Sequence, residues 1–161
     1  MLGSLRNVIY DPTGTKVRGT LDNCAGDKTP WGTLLTCEEN FQNRFANRDA
    51  LAADDPRKAI HTRCGPPTGA TMQRWELLHP RFDLAQEPNE PFRFGWVVEI
   101  EPYDPTFVPK KRTALGRFRH EGATAVAARS PSRRCFRIFN LELTGVLHPV
   151  NASEVACQLE S

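Results

Sequence analysis

Five glutamates and one cysteine are the side chains in this sequence whose types and positions best suit metal binding. Glu38 and Glu39 follow a strand-like run, Glu99 and Glu101 lie in or just after a second run, and Glu121 lies in His120-Glu121-Gly122-Ala123. Carboxylates at strand ends can converge on one point, and hard cations such as calcium bind oxygen ligands of this kind. Charged residues that flank strands are also commonly solvated. The pattern alone therefore leaves both interpretations open.

Cys24 is the cysteine in the best position for chemistry. It lies in a polar loop that contains glycine, whereas Cys37 lies within an apolar strand pattern typical of a buried position. A nearby cation or metal ion would stabilise a thiolate in such a loop, so Cys24 is a candidate ligand or reactive thiol. His120, beside Glu121, is compatible with a ligand, a base or a hydrogen-bonded polar residue, and its neighbours do not decide between these.

Short strands and turns are the elements that must position these side chains. Thirteen prolines and eleven glycines in 161 residues favour short strands and many turns over long helices. Runs of β-branched and aromatic residues predict strands at residues 31–37 and 94–100. Further strands are predicted near residues 113–118, 123–127 and 135–141. The predicted class is all-β with long connections.

The first segment of the chain predicts a β-hairpin. Its strands would be Val8-Ile9-Tyr10 and residues 16–21, on either side of Asp11-Pro12-Thr13-Gly14-Thr15. Proline fixes φ at the second position of such a turn, and glycine tolerates a positive φ two residues later.

One short helix and one long loop are predicted between the strands. The helix is expected within residues 46–62, where Ala50-Leu51-Ala52-Ala53 favour helix formation and Pro56 limits its length. The stretch from residue 64 to 91 contains many prolines and is predicted to consist mainly of loop.

Composition and charge argue against several classes of protein. A net charge of +2 gives no reason to expect nucleic acid as a partner, and Lys110-Lys111-Arg112 and Arg133-Arg134 are interpreted as solvated surface charge. Five cysteines without a Cys-x-x-Cys pair argue against a closed disulfide framework and a zinc finger. A zinc or redox role for Cys24, Cys37 and Cys64 is a weaker hypothesis. No apolar run reaches the roughly 18 residues of a transmembrane helix, so no membrane span is expected.

Several specific motifs occur in a fixed order over about residues 8–127. They are Asp11-Pro12-Thr13-Gly14-Thr15, residues 19–26, Thr29-Pro30-Trp31-Gly32-Thr33, Glu38-Glu39-Asn40-Phe41, residues 81–84, 87–91 and 93–100, Thr113-Ala114-Leu115-Gly116-Arg117-Phe118 and His120-Glu121-Gly122-Ala123. In identity, order and spacing these motifs resemble the bacterial PhoX alkaline phosphatase family.

The resemblance implies a β-propeller enzyme that hydrolyses phosphate monoesters with a cluster of calcium and ferric ions. It implies Cys24, Glu39 and Glu121 as metal ligands, with Glu38 and Glu99 as less secure candidates, and it assigns no catalytic residue beyond these. Small-molecule phosphate esters are the implied substrates. The family is exported, commonly by the twin-arginine route.

The resemblance also leads us to expect an incomplete propeller. At about 40–50 residues per blade the chain would supply about three blades, whose open strand edges would favour self-association. Residues 1–128 are interpreted as a fragment of the phosphatase domain and residues 129–161 as an unmatched tail. A shifted reading frame or a pseudogene-like remnant would explain this tail, and translation of the next frame downstream of codon 128 tests the frameshift hypothesis.

These expectations set out two functions for the polypeptide. The first is a phosphatase-family protein of weak or no activity, because too few ligands would remain for a multinuclear cluster. The alternative is a non-catalytic β-sheet fragment that binds calcium through Glu38, Glu39 and Glu121. The first residues show no export signal, so the chain as written is expected in the cytoplasm.

Overall fold

The computed structural model describes residues 6–125 with their side chains, and the backbone of residues 126–127, 133–139 and 156–159. The chain divides into two compact units. The first unit contains Met1–Leu21 and Asn40–Phe94, and the second contains Asp22–Glu39 and Gly95–Ser161.

Two three-stranded antiparallel sheets form the second unit. The first sheet has the order β1-β2-β3 and the other has the order β4-β5-β6. The strands are β1 (Leu34–Cys37), β2 (Val97–Ile100), β3 (Lys110–Lys111), β4 (Gly122–Ala127), β5 (Arg133–Phe139) and β6 (Ala156–Leu159). In the first sheet Leu35 lies opposite Glu99, and Glu99 lies opposite Lys110.

A small apolar core holds the second unit together. Successive side chains of a strand point to opposite faces, and in β1 the alternate residues Leu35 and Cys37 are buried. They pack with Val97, Leu115 and Ala123. This core fixes the end of β1, where the sequence places its candidate carboxylates.

The first unit contains the α-helix of the described residues, α1 (Pro56–Cys64), and several single-turn 3-10 helices. The 3-10 helices are Phe41–Arg44, Arg48–Ala50, Trp75–Leu77, Pro80–Phe82 and Glu90–Arg93. Its core is built from Phe41, Phe45, Leu51, Cys64, Leu84 and Phe94. Long connections between short elements therefore surround an aromatic core, as the prolines of residues 64–91 predict.

Buried charges also stabilise the first unit. Glu90 is fully buried, pairs with Arg81, and accepts a hydrogen bond from the Tyr10 hydroxyl at 2.7 Å. Arg93 is equally buried and pairs with Asp11 at 2.9 Å. Burial and the Glu90 carboxylate raise the pKa of Tyr10 to about 12, so the tyrosine stays neutral at physiological pH.

The predicted all-β class is confirmed in part. Regular structure in the described residues is mostly sheet, and the predicted strands at 31–37, 94–100 and 123–127 correspond to β1, β2 and β4. β5 covers most of the strand predicted at 135–141, and residues 140–141 lie outside the described residues. The two sheets are open, so the arrangement as propeller blades remains a proposal.

The predicted hairpin at residues 8–21 is wrong, although its turn is present. Val8 and Asp11 form a single bridge, and no strand is present between residues 6 and 21. The Asp11 carboxylate accepts bonds from the backbone amides of Thr13 and Lys16 and pairs with Arg93. Because the Asp11 side chain accepts the backbone amides of Thr13 and Lys16, local turns hold the segment in place, and these amides do not pair with a second strand.

The helix prediction placed the element too early in the chain. α1 begins at Pro56, the residue that we expected to limit the helix. Proline suits the first helical position, where its missing N–H would have no partner in the helix. The Asp55 side chain caps the helix by accepting a bond from the Arg57 amide at 2.8 Å, and Gly65 ends it with a positive φ of 77°.

The strand predicted at residues 113–118 is also wrong. Thr113–Leu115 form a 3-10 helix, and Gly116 follows with a positive φ of 81°. The preceding residues Lys110–Lys111 already pair with β2 as β3. The chain then turns so that Leu115 enters the apolar core.

Within the described residues, no helix has both the length and the apolar character needed to cross a bilayer.

Candidate functional site

The loop that carries Cys24 lies along the free edge of β1. The Cys24 amide donates to the Cys37 carbonyl at 2.7 Å, and the Leu35 amide donates to the Asp27 carbonyl at 2.8 Å. The Cys24 side chain is exposed. The loop therefore presents a reachable thiol at the end of β1, and backbone hydrogen bonds hold it against that strand.

A bulge at Gly26 sets the path of this loop. The pairing of Asn23 with Glu38 and that of Lys28 with Leu34 leave five residue steps on the loop against four on the strand. A Cβ atom at Gly26 would lie 1.8 Å from the Leu35 carbonyl oxygen. Only glycine allows this close approach, and the extra residue redirects the neighbouring side chains, as bulges do.

Backbone contacts bring the segments of Cys24, Glu39 and Glu121 together in the second unit. The Glu39 amide donates to the carbonyl of Asp22, in the Cys24 loop, at 3.1 Å. A Cβ atom at Gly122, next to Glu121, would lie 3.6 Å from the Cβ of Ala25. Three segments that are far apart in sequence are therefore neighbours, as the metal-site hypothesis requires.

The side chains do not form a finished metal site. Among the described residues, no group of three or more His, Cys, Asp or Glu side chains has the arrangement that would hold a metal ion. The Glu121 Oε2 atom is buried and has no hydrogen-bond partner in the described part of the chain. A buried carboxylate oxygen without a donor costs free energy that a cation could offset.

The Glu38 carboxylate has partners within the protein. It is fully buried, and its Oε2 accepts bonds from the amides of Gly95 at 3.0 Å and Trp96 at 3.1 Å. Its Oε1 pairs with Lys111 Nζ at 2.7 Å. These bonds join the end of β1 to the start of β2 and to β3, so Glu38 has a structural role. We call the carboxylates that are paired with basic side chains in this way, together with their partners, the frame of the site.

Glu99, the second of the less secure candidates, also has its oxygens occupied. Its Oε1 accepts from Thr33 Oγ1 at 2.6 Å and Trp31 Nε1 at 2.9 Å, and its Oε2 pairs with Arg112. Burial alone would raise the pKa of this carboxyl, but the bonds from Thr33, Trp31 and Arg112 together lower it. Glu99 is therefore ionised and compensated by its neighbours.

Lys111 and Arg112 are the functional-site residues that the sequence interpretation missed. We predicted residues 110–112 to be solvated surface charge, yet the Lys111 side chain is only 11% exposed and neutralises Glu38. Arg112 does the same for Glu99. The sequence does contain a basic pair and two glutamates near strands. Which basic residue pairs with which glutamate follows only from the pairing of β2 with β3.

His120 is a neutral buried histidine. Its Nε2 lies 3.1 Å from the Gly116 carbonyl oxygen, and its ring contacts Phe118 with centroids 3.5 Å apart. Burial lowers its pKa to about 4, although the Gly116 bond acts in the opposite direction. Its Nδ1 is buried and has no hydrogen-bond partner in the described residues. The bond to Gly116 favours the reading as a hydrogen-bonded polar residue, and the choice between ligand and base stays open.

Comparisons with known proteins identify the family of this chain. A family model described as alkaline phosphatase PhoX matches residues 3–136, which include the first residues of the tail 129–161. A similar solved structure is Pseudomonas fluorescens PhoX in complex with vanadate, a transition state analogue, at 46% identity and a TM-score of 0.72. No curated protein matches the sequence.

The match to the solved structure covers different fractions of the two chains. It covers 83% of this chain but only 22% of the Pseudomonas fluorescens chain. The family model, in contrast, covers well over half of the present sequence. The chain therefore belongs to the PhoX family of alkaline phosphatases.

Proposed function

We propose that this chain contributes metal ligands to a phosphatase that hydrolyses small-molecule phosphate monoesters. The observation that carries the proposal is the meeting of the Cys24 loop, the Glu39 strand end and the Glu121 segment in a member of the PhoX family. An arrangement of the sheets as propeller blades and export of the whole protein belong to the same proposal.

Cys24, Glu39 and Glu121 are the proposed ligands, and calcium and ferric iron are the proposed ions. The donor set suits this pair, because carboxylate oxygens favour calcium and a thiolate favours a transition metal. The unpartnered buried oxygen of Glu121 supports the fit. When bound, such ions would neutralise the charge of the phosphoryl group and activate an oxygen nucleophile.

The residues of this chain would hold and orient the ligands. The Gly26 bulge sets the direction of the Cys24 loop, and the bonds of Glu38 fix the end of β1 next to Glu39. Glu38 and Glu99 are already neutralised by Lys111 and Arg112, so we assign them to this frame rather than to the ions.

We further propose that the 161-residue chain alone turns over weakly or not at all. It spans 22% of the Pseudomonas fluorescens chain, and no group of three ligands is arranged to hold an ion in its described residues. A multinuclear cluster needs more ligands than these positions supply.

The test is a thermal melt of the purified chain with calcium and iron, together with hydrolysis of an aryl phosphate. At 100 times the dissociation constant a ligand stabilises by about 2.7 kcal/mol, which corresponds to a shift of roughly 5–11 °C for a chain of this size. We expect the shift to fall strongly in Cys24→Ser and Glu121→Gln and to persist in the control Glu101→Gln.

The outcomes separate the possible functions. A metal-dependent shift without turnover supports the proposed ligands and the weak activity of the chain. Robust turnover that survives Cys24→Ser would refute the assignment of Cys24. A calcium shift that is lost only in Glu121→Gln would favour the non-catalytic calcium-binding fragment, and the absence of any shift would remove the metal site.

A further inference from the structure

Cys24 and Cys37 lie directly opposite each other across the loop and β1. The antiparallel pairing of Asn23 with Glu38 makes Cys24 and Cys37 the next pair in register, and the Cys24 amide bonds to the Cys37 carbonyl at 2.7 Å. Opposite residues of an antiparallel pair have Cα atoms about 4.5–5.5 Å apart, with side chains on the same face. This separation lies within the range of roughly 4.4–6.8 Å in which a disulfide forms.

The two thiols differ in exposure in a way that gives each a distinct role. Both are free, and Cys24 is exposed whereas Cys37 is buried in the core of the second unit. A reagent in solution can therefore reach Cys24 but not Cys37.

We propose that Cys24 and Cys37 form a redox modification site, in which a low-molecular-weight disulfide oxidises them to an intramolecular disulfide. The Cys24 thiolate attacks one sulfur of the reagent, forms a mixed disulfide and releases one reagent thiolate. The Cys37 thiolate then attacks the Cys24 sulfur and releases the second. The two cysteines are oxidised, one reagent disulfide is reduced to two thiols, and the two cysteine protons end on those thiols.

The regulatory consequence rests on the proposed function. If Cys24 is a metal ligand, the disulfide removes its thiolate from the site, and a bound metal in turn protects Cys24 from oxidation. Oxidation and metal loading would then exclude each other at one sulfur atom. The disulfide itself needs only the register of the loop against β1.

The experiment oxidises the metal-free full chain with oxidised glutathione and maps its peptides by mass spectrometry without reduction. Trypsin cleaves after Lys28, which lies between the two cysteines, so a Cys24–Cys37 disulfide appears as two linked peptides that separate on reduction. We expect near-complete loss of the Cys24 and Cys37 thiols, whereas the buried Cys64 stays unmodified and serves as the internal reference. In Cys37→Ala the reaction should stop at the glutathione adduct of Cys24.

Each outcome decides one claim. A stable glutathione adduct on Cys24 of the unsubstituted chain, or a link from Cys24 to another cysteine, overturns the disulfide. A second sample is loaded with calcium and ferric ions before oxidation. If the linked peptides form equally fast with and without these ions, the disulfide stands while the metal role of Cys24 fails. At least tenfold slower linkage in the loaded sample supports both.

Discussion

The substitution Glu38→Gln tests whether this carboxylate holds the frame of the site. The amide oxygen of glutamine can still accept the bonds from the Gly95 and Trp96 amides. Its NH₂ group, however, would face Lys111 Nζ in place of an anionic oxygen 2.7 Å away. Two donors would then oppose each other at a position where the Glu38 side chain is fully buried.

The expected cost follows from this burial. Removing one partner of a buried ion pair costs about 3–5 kcal/mol, and losing one charge-assisted hydrogen bond costs about 1.5–3 kcal/mol. The Lys111 side chain is 11% exposed, so its ammonium group recovers some hydration, and we expect the free energy of unfolding to fall by about 3 kcal/mol. For 161 residues this corresponds to a fall in Tm of roughly 6–12 °C.

The assay is a thermal melt in the presence of a chelator, so that no metal contributes to stability. Glu101→Gln is the matched control. Glu101 accepts a hydrogen bond from the Tyr103 amide in an exposed turn, so this substitution should lower the free energy of unfolding by at most about 0.5 kcal/mol. Adding Lys111→Met to Glu38→Gln should restore part of the lost stability, because the unpaired cation is removed.

One result would refute this reasoning. If Glu38→Gln in the chelated protein melts within about 2 °C of the unsubstituted chain, the carboxylate does not hold the frame. If the same variant then loses a stabilisation that calcium gives to the unsubstituted chain, Glu38 is a metal ligand, as the sequence allowed.

Two further substitutions test the local structure around each unit. Asp55→Ala removes the cap of α1 and should lower the free energy of unfolding by about 1 kcal/mol in a urea titration, whereas the exposed neighbour Asp54→Ala should have little effect. Gly26→Ala forces a Cβ to within 1.8 Å of the Leu35 carbonyl oxygen and should cost about 1–3 kcal/mol in the same titration. Gly69→Ala is its control, because nothing lies within 4 Å of the added Cβ, and an equal effect of both substitutions would contradict the close approach.

The strands were predictable where β-branched and aromatic residues follow one another. Residues 31–37 and 94–100 contain such runs, and β1 and β2 lie within them. The start of α1 was misplaced because Pro56 was weighed as a residue that ends helices. Three residues in the sequence mark the ends of α1. Asp55 is a capping residue, Pro56 suits the first helical position, and Gly65 follows the last residue of the helix.

The hairpin prediction was wrong because the main partner of this segment is distant in the sequence. Asp11 pairs with Arg93, a residue 82 positions away, and both are buried. Turn chemistry around Pro12 and Gly14 was interpreted correctly, but it does not determine whether the flanking residues find a strand partner. The partner here is a side chain contributed by a distant 3-10 helix.

The same limit applies to the glutamates. Sequence places Glu38 and Glu39 side by side at a strand end, but their backbone amides bond to opposite neighbours. The Glu38 amide donates to the Trp96 carbonyl, and the Glu39 amide donates to the Asp22 carbonyl. The backbone of residue 38 is therefore bonded to the segment of β2, and the backbone of residue 39 is bonded to the Cys24 loop. Two residues that look equivalent in the sequence therefore belong to different sets of contacts.

Charge balance then separates frame carboxylates from candidate ligands. Glu38 and Glu99 each pair with a basic side chain from the segment of β3, which means that a cation placed there would compete with an existing ammonium or guanidinium group. Glu121 instead keeps a buried oxygen without a hydrogen-bond donor in the described residues. Because an uncompensated buried carboxylate oxygen is costly, a metal ion gains most at Glu121. The metal-binding hypothesis is therefore strongest at Glu121 and weakest at the two carboxylates that the protein already neutralises.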